Sequence, residues 1–259
     1  MKLSKPQAAA HNKAEAILKQ DTLSYEDKIF VLENWHEGAE HMNGLHGAFF
    51  TPIGLARDFS IELSEESTVD LCAGIGMLAF AAVHYKGVQE ITCIEWNPKY
   101  VEVGRKVVPE ATWICGSILD TDIIGRLPHF RQAISNPPFG NIPKAKDRVR
   151  LQYTGSDFEF ITIEVASKIA STGTFILPQM STPFKYSGNR NMDTMESPKY
   201  EKFREQTGFV MDFNCGIDTE QYLGDWRGVK PLCEIVHIDF TAQGRLFLQT
   251  EMRFESQPT

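Results

Sequence analysis

The chain has 259 residues, 42% of them hydrophobic, and a formal net charge of −8. That length and apolar content suffice for one substantial core with at most a small appendage. No apolar run reaches the length of a bilayer span, so no transmembrane helix or membrane contact is expected and the cytoplasm is the expected location; the acidic balance argues against a surface that is basic throughout, although a local basic track remains compatible with it.

An amphipathic stretch at about 7–20 and a second from Tyr25 to Trp35 predict two helices, followed by a polar, glycine-bearing link from His36 to Gly47. Gly47-Ala-Phe-Phe-Thr51-Pro52 then leads into a helix whose first turn holds Pro52. From Thr68 onward strands and helices alternate. Strands are expected at Thr68–Cys72, Glu90–Glu95, Ala111–Cys115, Gln132–Ser135 and Gly173–Leu177, and helices at Met77–Tyr85, Pro98–Val107 and Phe158–Ser171. Phe209–Ile217, Leu232–Phe240 and Arg245–Phe254 read as strands without helices between them. The alternation predicts an α/β, doubly wound, Rossmann-like fold whose sheet is mostly parallel with antiparallel C-terminal strands. The expected division is an N-terminal helical extension at 1–46 and a catalytic domain at 47–259, with a small substrate-contacting insertion near 182–204. The five cysteines, Cys72, Cys93, Cys115, Cys215 and Cys233, form no Cys-x-x-Cys pair and are expected as buried thiols, neither disulfides nor metal ligands.

Asp70-Leu-Cys72-Ala-Gly74-Ile-Gly76 places an acid at a strand end and two glycines at the start of a helix, so that backbone can approach a ligand closely. No third glycine stands at Ala79 and no basic residue suits a phosphate, which favours a cofactor that is cationic and phosphate-free. Glu95 ends the next strand, where a carboxylate can take both ribose hydroxyls of a nucleoside. Trp96 is placed to pack on an adenine edge or to serve as a half-buried core residue, and Ser117 follows the third strand where a contact to the adenine amino group is expected.

Asn136-Pro137-Pro138-Phe139 closes the strand Gln132–Ser135. By itself it is either a rigid turn or a device for an amino group. In the second reading the Asn136 side-chain carbonyl and the Pro137 carbonyl accept both hydrogens of a planar amine, freeing its lone pair. The prolines fix the backbone, and Phe139 offers a face for a flipped-out base. Lys144, Lys146, Arg148 and Arg150 follow directly, either as a solvated face or as contacts to a substrate backbone. Asp157 and Glu159 are candidates for orienting the turn, and Lys185, Arg190, Lys199, Lys202 and Arg204 accompany the 182–204 insertion.

Taken together, the glycine turn, Glu95, Asn136-Pro-Pro-Phe-Gly140 and the upstream Phe49-Phe50-Thr51-Pro52 element resemble the motifs of class I S-adenosylmethionine-dependent N6-adenine DNA methyltransferases related to type I modification subunits. The resemblance covers roughly 47–180. It implies S-adenosylmethionine as cofactor, clasped by Phe50, Thr51, Asp70, Cys72, Gly74, Gly76, Glu95, Trp96 and Ser117, and a target adenine presented at Asn136–Phe139. DNA is the favoured substrate, and the lack of a large recognition domain implies low sequence specificity, recognition through a partner, or a substrate other than duplex DNA; the partner expected besides nucleic acid is a specificity subunit or a second copy in a homo-oligomer. A ribosomal-RNA adenine methyltransferase, a protein glutamine methyltransferase and a non-catalytic binding protein on the same fold are the alternatives.

Overall fold

A computed structural model describes residues 3–36, 49–139, 149–227 and 229–241. The chain opens with helices α1 (Lys5–Ile17) and α2 (Tyr25–Asn34), each started by a serine in a capping box, Ser4 with Gln7 and Ser24 with Asp27. The Ser4 cap and Pro6 in the first turn move α1 toward the N-terminus of the expected 7–20 stretch.

Then follow α3 (Ile53–Phe59), β1 (Thr68–Leu71), α4 (Met77–Ala81), β2 (Ile91–Glu95), α5 (Pro98–Val107), β3 (Thr112–Cys115), α6 (Thr121–Ile124) and β4 (Phe130–Ser135). The chain continues through α7 (Phe158–Ala166), β5 (Ala170–Pro178), α8 (Pro198–Thr207), β6 (Asp212–Phe213) and β7 (Cys233–Asp239). They build a seven-stranded sheet in the order β3-β2-β1-β4-β5-β7-β6. The first five of these pair in parallel, while β7 runs antiparallel to β5 and β6 antiparallel to β7. The doubly wound α/β sheet with antiparallel C-terminal strands is therefore as expected.

Alternate residues of each strand feed opposite sides. Cys93, Ile134, Ile176 and Ile235 join the core beneath α1 to α5, whereas Ile94, Ala133, Phe175 and Val236 join the core beneath α7 and α8. Ala14, Val31, Leu32 and Trp35 of the N-terminal helices belong to the first of these cores.

Several boundaries differ from expectation for tertiary reasons. The helix expected through Ser171 stops at Ala166, because Ala170 pairs with Phe130 and Thr172 with Gln132, which also lengthens β4. The strand expected at Phe209–Ile217 shrinks to Asp212–Phe213, since the Asn214 side-chain Oδ1 accepts the Gly216 and Ile217 amides and turns the chain. The expected strand Arg245–Phe254 lies outside the described residues. The 182–204 insertion is not all loop, because α8 begins within it. Cys115 and Cys215 are exposed, not buried as expected, because Cys115 ends an edge strand and Cys215 sits in the turn after β6.

Candidate active site

The order β2-β1-β4 makes β1 and β4 the point at which the sheet's winding reverses, and ligands of open α/β sheets settle at the carboxyl ends of such strands. Both motif turns are there. The register pairs Asp70 with Ile134, so the chain leaves β1 and β4 with Cys72 and Asn136 at the same level. The Ser135 hydroxyl donates to the Leu71 carbonyl and ties the two strand ends together.

The turn after β1 is tightly folded. Cys72 has φ 60, Gly74 φ 56 and Gly76 φ 90, three left-handed conformations in five residues. A methyl group at Gly74 would stand 3.4 Å from the Phe50 ring, so glycine serves both the backbone and the space here. Cys72 bears its positive φ without that freedom, a local strain of the kind found at ligand clamps.

Between this turn and β4 opens a cleft with about 290 Å³ of empty space, part of it open to solvent. Of the expected site residues, Phe50, Thr51, Asp70, Cys72, Gly74 and Asn136 line it. Phe49, Ala73, Ile75, Met77 and Leu78 complete the wall and were not anticipated. The apolar start of the helix after the glycines was the available signal for Met77 and Leu78.

Asp70 is 1% exposed; the Ala79 backbone donates to it, and its Oδ2 has no hydrogen-bond partner among the described residues. Burial raises its carboxyl well above the usual range, and the nearby Glu95 adds to the rise. Glu95 accepts the Gly74 amide at 2.9 Å and the Asn97 amide at 2.9 Å. Burial pushes it up to about 7, against the lowering effect of these amides. Glu95 thus holds the glycine turn from behind instead of lining the cleft, and its carboxylate has lone pairs beyond the two in use. Gly76, Trp96 and Ser117 also lie off the cleft wall. Trp96 is 64% exposed and is no half-buried core residue, and the Ser117 hydroxyl accepts the Leu119 amide.

On the β4 side, the Asn136 Nδ2 donates to the Phe49 carbonyl at 3.1 Å and to the Thr51 Oγ1 at 2.9 Å. Its Oδ1 is buried without a partner among the described residues. Pro137 is buried, Pro138 half-buried, and the half-buried Phe139 packs against the core beneath α1 to α5.

The basic residues are less available than their sequence suggests. Lys144, Lys146 and Arg148 lie outside the described residues, and Arg150 is exposed. Lys199 pairs with Asp157 at 3.3 Å and Glu159 at 3.5 Å, and Arg204 pairs with Glu196. Asp157 and Glu159 therefore engage α8, and Glu159 also the Ser181 hydroxyl at 2.7 Å; the turn at Asn136 is oriented by Phe49 and Thr51. Glu164 accepts the Gln152 and Tyr153 amides, and the fully buried Glu234 accepts the Tyr186 and Ser187 amides and the Gln179 side chain, so buried carboxylates brace both segments. Among the described residues no cluster of side chains is suited to a metal ion, and no helix is long and apolar enough to cross a membrane.

Residues 55–153 match the family model of the methyltransferase small domain. The chain has the fold of the class I methyltransferases. A Vibrio vulnificus protein assigned as the modification subunit of a type I restriction enzyme superposes with a TM-score of 0.55 at 10% identity, over 85% of this chain and 51% of that one. The methyltransferase subunit of the type I restriction-modification system from Streptococcus thermophilus gives 0.54 at 15% identity, over 81% and 49%. A Listeria monocytogenes protein assigned to the class I S-adenosylmethionine-dependent methyltransferases gives 0.52 at 12% identity, over 87% and 71%. The chain spans about half the length of the two type I subunits. No curated protein matches the sequence.

The domain match implies S-adenosylmethionine as the cofactor, and the residues present fit it. The buried, unpartnered Asp70 Oδ2 is an acceptor without a donor, and the cofactor carries an ammonium and a sulfonium. The glycine turn offers backbone close to the Phe50 ring, and among the described residues that line the cleft none is a cation that would repel the group.

Proposed function

We propose that the protein transfers a methyl group from S-adenosylmethionine to the N6 amino group of adenine in DNA. The observation that carries this reading is the Asn136 amide: it borders the cleft, its two N–H groups are spent on protein acceptors, and its buried Oδ1 has no partner among the described residues. A buried acceptor left open costs free energy unless a ligand supplies the donor. An amino group supplies it.

The bound cofactor supplies a methyl on a cationic sulfur. Asn136 Oδ1 and the Pro137 carbonyl accept the two N–H hydrogens of the target, which favours a pyramidal nitrogen with a lone pair free to attack. The ring of Phe139 flanks the base. Asp70 would hold the cofactor through a cationic donor, and Glu95, standing behind the Gly74 turn whose amide it fixes, would meet the hydroxyl donors with its remaining lone pairs. Positioning and preorganised acceptors provide the acceleration, so no strong general base is needed, and the proton leaves to water. Type I modification subunits carry this fold, which favours DNA as the polymer and a further subunit as the source of sequence specificity.

Incubation with cofactor labelled in its methyl group and separate pools of unmethylated DNA, RNA and protein tests the reading, with N6-methyladenine in DNA as the expected product. Label confined to RNA would move the substrate to that polymer; label in protein alone, or nowhere, would sink the adenine reading. Asn136→Ala should lower transfer by about 10²–10³-fold, the scale of removing one preorganised polar contact to a transition state, with cofactor binding nearly intact by calorimetry.

A further inference from the structure

The element Phe49-Phe50-Thr51-Pro52 was expected to clasp the cofactor, and Phe50 does face the glycine turn. Thr51 has a second connection. It is 4% exposed, and its Oγ1 lies 2.9 Å from the Asn136 Nδ2. We infer that Thr51 is a positioning residue for the methyl-accepting side: together with the Phe49 carbonyl it locks the Asn136 amide with Oδ1 toward the target amine. This rests on the reading of Asn136 as the acceptor of that amine.

The chemistry of the two partners divides the task. A primary amide has nearly isosteric ends, so its direction is set by what surrounds it. The Phe49 carbonyl is an acceptor only, and it repels Oδ1 and selects the NH₂ end. That uses one of the two N–H donors. The Thr51 hydroxyl takes the other, so the amide cannot swivel about its terminal torsion, a broad two-fold well in the absence of partners. Both anchors sit in one backbone segment, and a proline after Thr51 disfavours a helical backbone there. The lock therefore exists before substrate arrives.

The test separates positioning from cofactor contact. In Thr51→Val, kcat should fall about tenfold, within the range of one lost hydrogen bond in a transition state, while the cofactor Kd stays within about twofold. Thr51→Ser, which keeps the hydroxyl, should restore kcat. A readout independent of turnover is the Asn136 side-chain NH₂ signal in nitrogen-15 spectra of the cofactor-free protein. It should be protected from solvent exchange in the wild type and in Thr51→Ser, and faster exchanging in Thr51→Val. Cofactor affinity falling in step with kcat, no rescue by serine, or equal exchange in all three proteins would each overturn the inference. Because the exchange measurement needs no substrate, a protected amide in a protein that methylates no adenine would leave the lock standing and reject the substrate reading instead.

Discussion

Glu95 is a carboxyl placed behind the glycine turn, and its acidity makes the site pH-sensitive. In the fold it sits at about 7, against an ordinary value of 4.5. A raised acid stabilises the fold through its protonated form, so this contribution is complete below about 4.5 and is lost as pH rises through about 7. The melting temperature of the cofactor-free protein should therefore decline over that interval, and Glu95→Gln should flatten the decline. Cofactor binding should run the other way. Donors from a cationic ligand favour the ionised carboxylate, so calorimetric affinity should rise as pH climbs to about 7 and level off above it, with proton release on binding. An affinity that weakens with rising pH would remove Glu95 from any coupling to the cofactor.

At the scale of elements, the α1–α2 hairpin is part of the cleft's support. Trp35, at the end of α2, is 1% exposed and donates its indole N–H to Glu15 of α1 at 2.7 Å. Its ring stands 5.9 Å from Phe50 and 5.6 Å from Tyr100, and Phe50 lies 5.1 Å from Tyr100. Arg227, from the segment between β6 and β7, donates to the Leu32 and Trp35 carbonyls and caps the end of α2. Trp35→Ala should cost about 3–5 kcal/mol of stability by removing a buried aromatic, and should weaken cofactor binding through a loosened Phe50. Trp35→Phe should keep most of both, as read by denaturant titration beside a binding isotherm. The starts of α2 and α5 were legible at Tyr25 and Pro98, where Ser24 and Asn97 cap within three residues, a purely local interaction, whereas α1 begins ahead of its expected stretch. The shared core of hairpin and sheet was not legible, since a helix's own sequence shows that it has an apolar face but not what covers it.

The whole chain is acidic, and the described cations are partly neutralised: Lys199 and Arg204 are ion-paired and Lys202 lies over the Tyr153 ring. Binding of duplex DNA by this chain alone should therefore be weak, with a shallow salt dependence. If the run Lys144, Lys146, Arg148 contacts phosphates, replacing the three by alanine should make the slope of log K against log salt shallower by roughly 0.9 per lost contact. An unchanged slope would assign the run to solvent.

The sequence by itself determined the order of chemistry along the chain: a glycine turn after the first sheet strand, a carboxylate after the second, and Asn-Pro-Pro-Phe after the fourth. These were legible because each depends on local backbone preference, with glycine supplying positive φ at Gly74 and Gly76 and proline fixing the turn after Asn136. Only the tertiary structure decided the direction of the Asn136 amide, the retreat of Glu95 behind Gly74, and the loss of Lys199 and Arg204 to ion pairs. Each of the first two joins side chain to partner across tens of residues, and the Lys199 pairs form only once α7 and α8 have packed together, whereas Arg204 meets Glu196 just ahead of its own helix. A sequence shows which donors and acceptors exist; folding settles which of them are spent on one another and which, like Asn136 Oδ1, find no partner among the described residues.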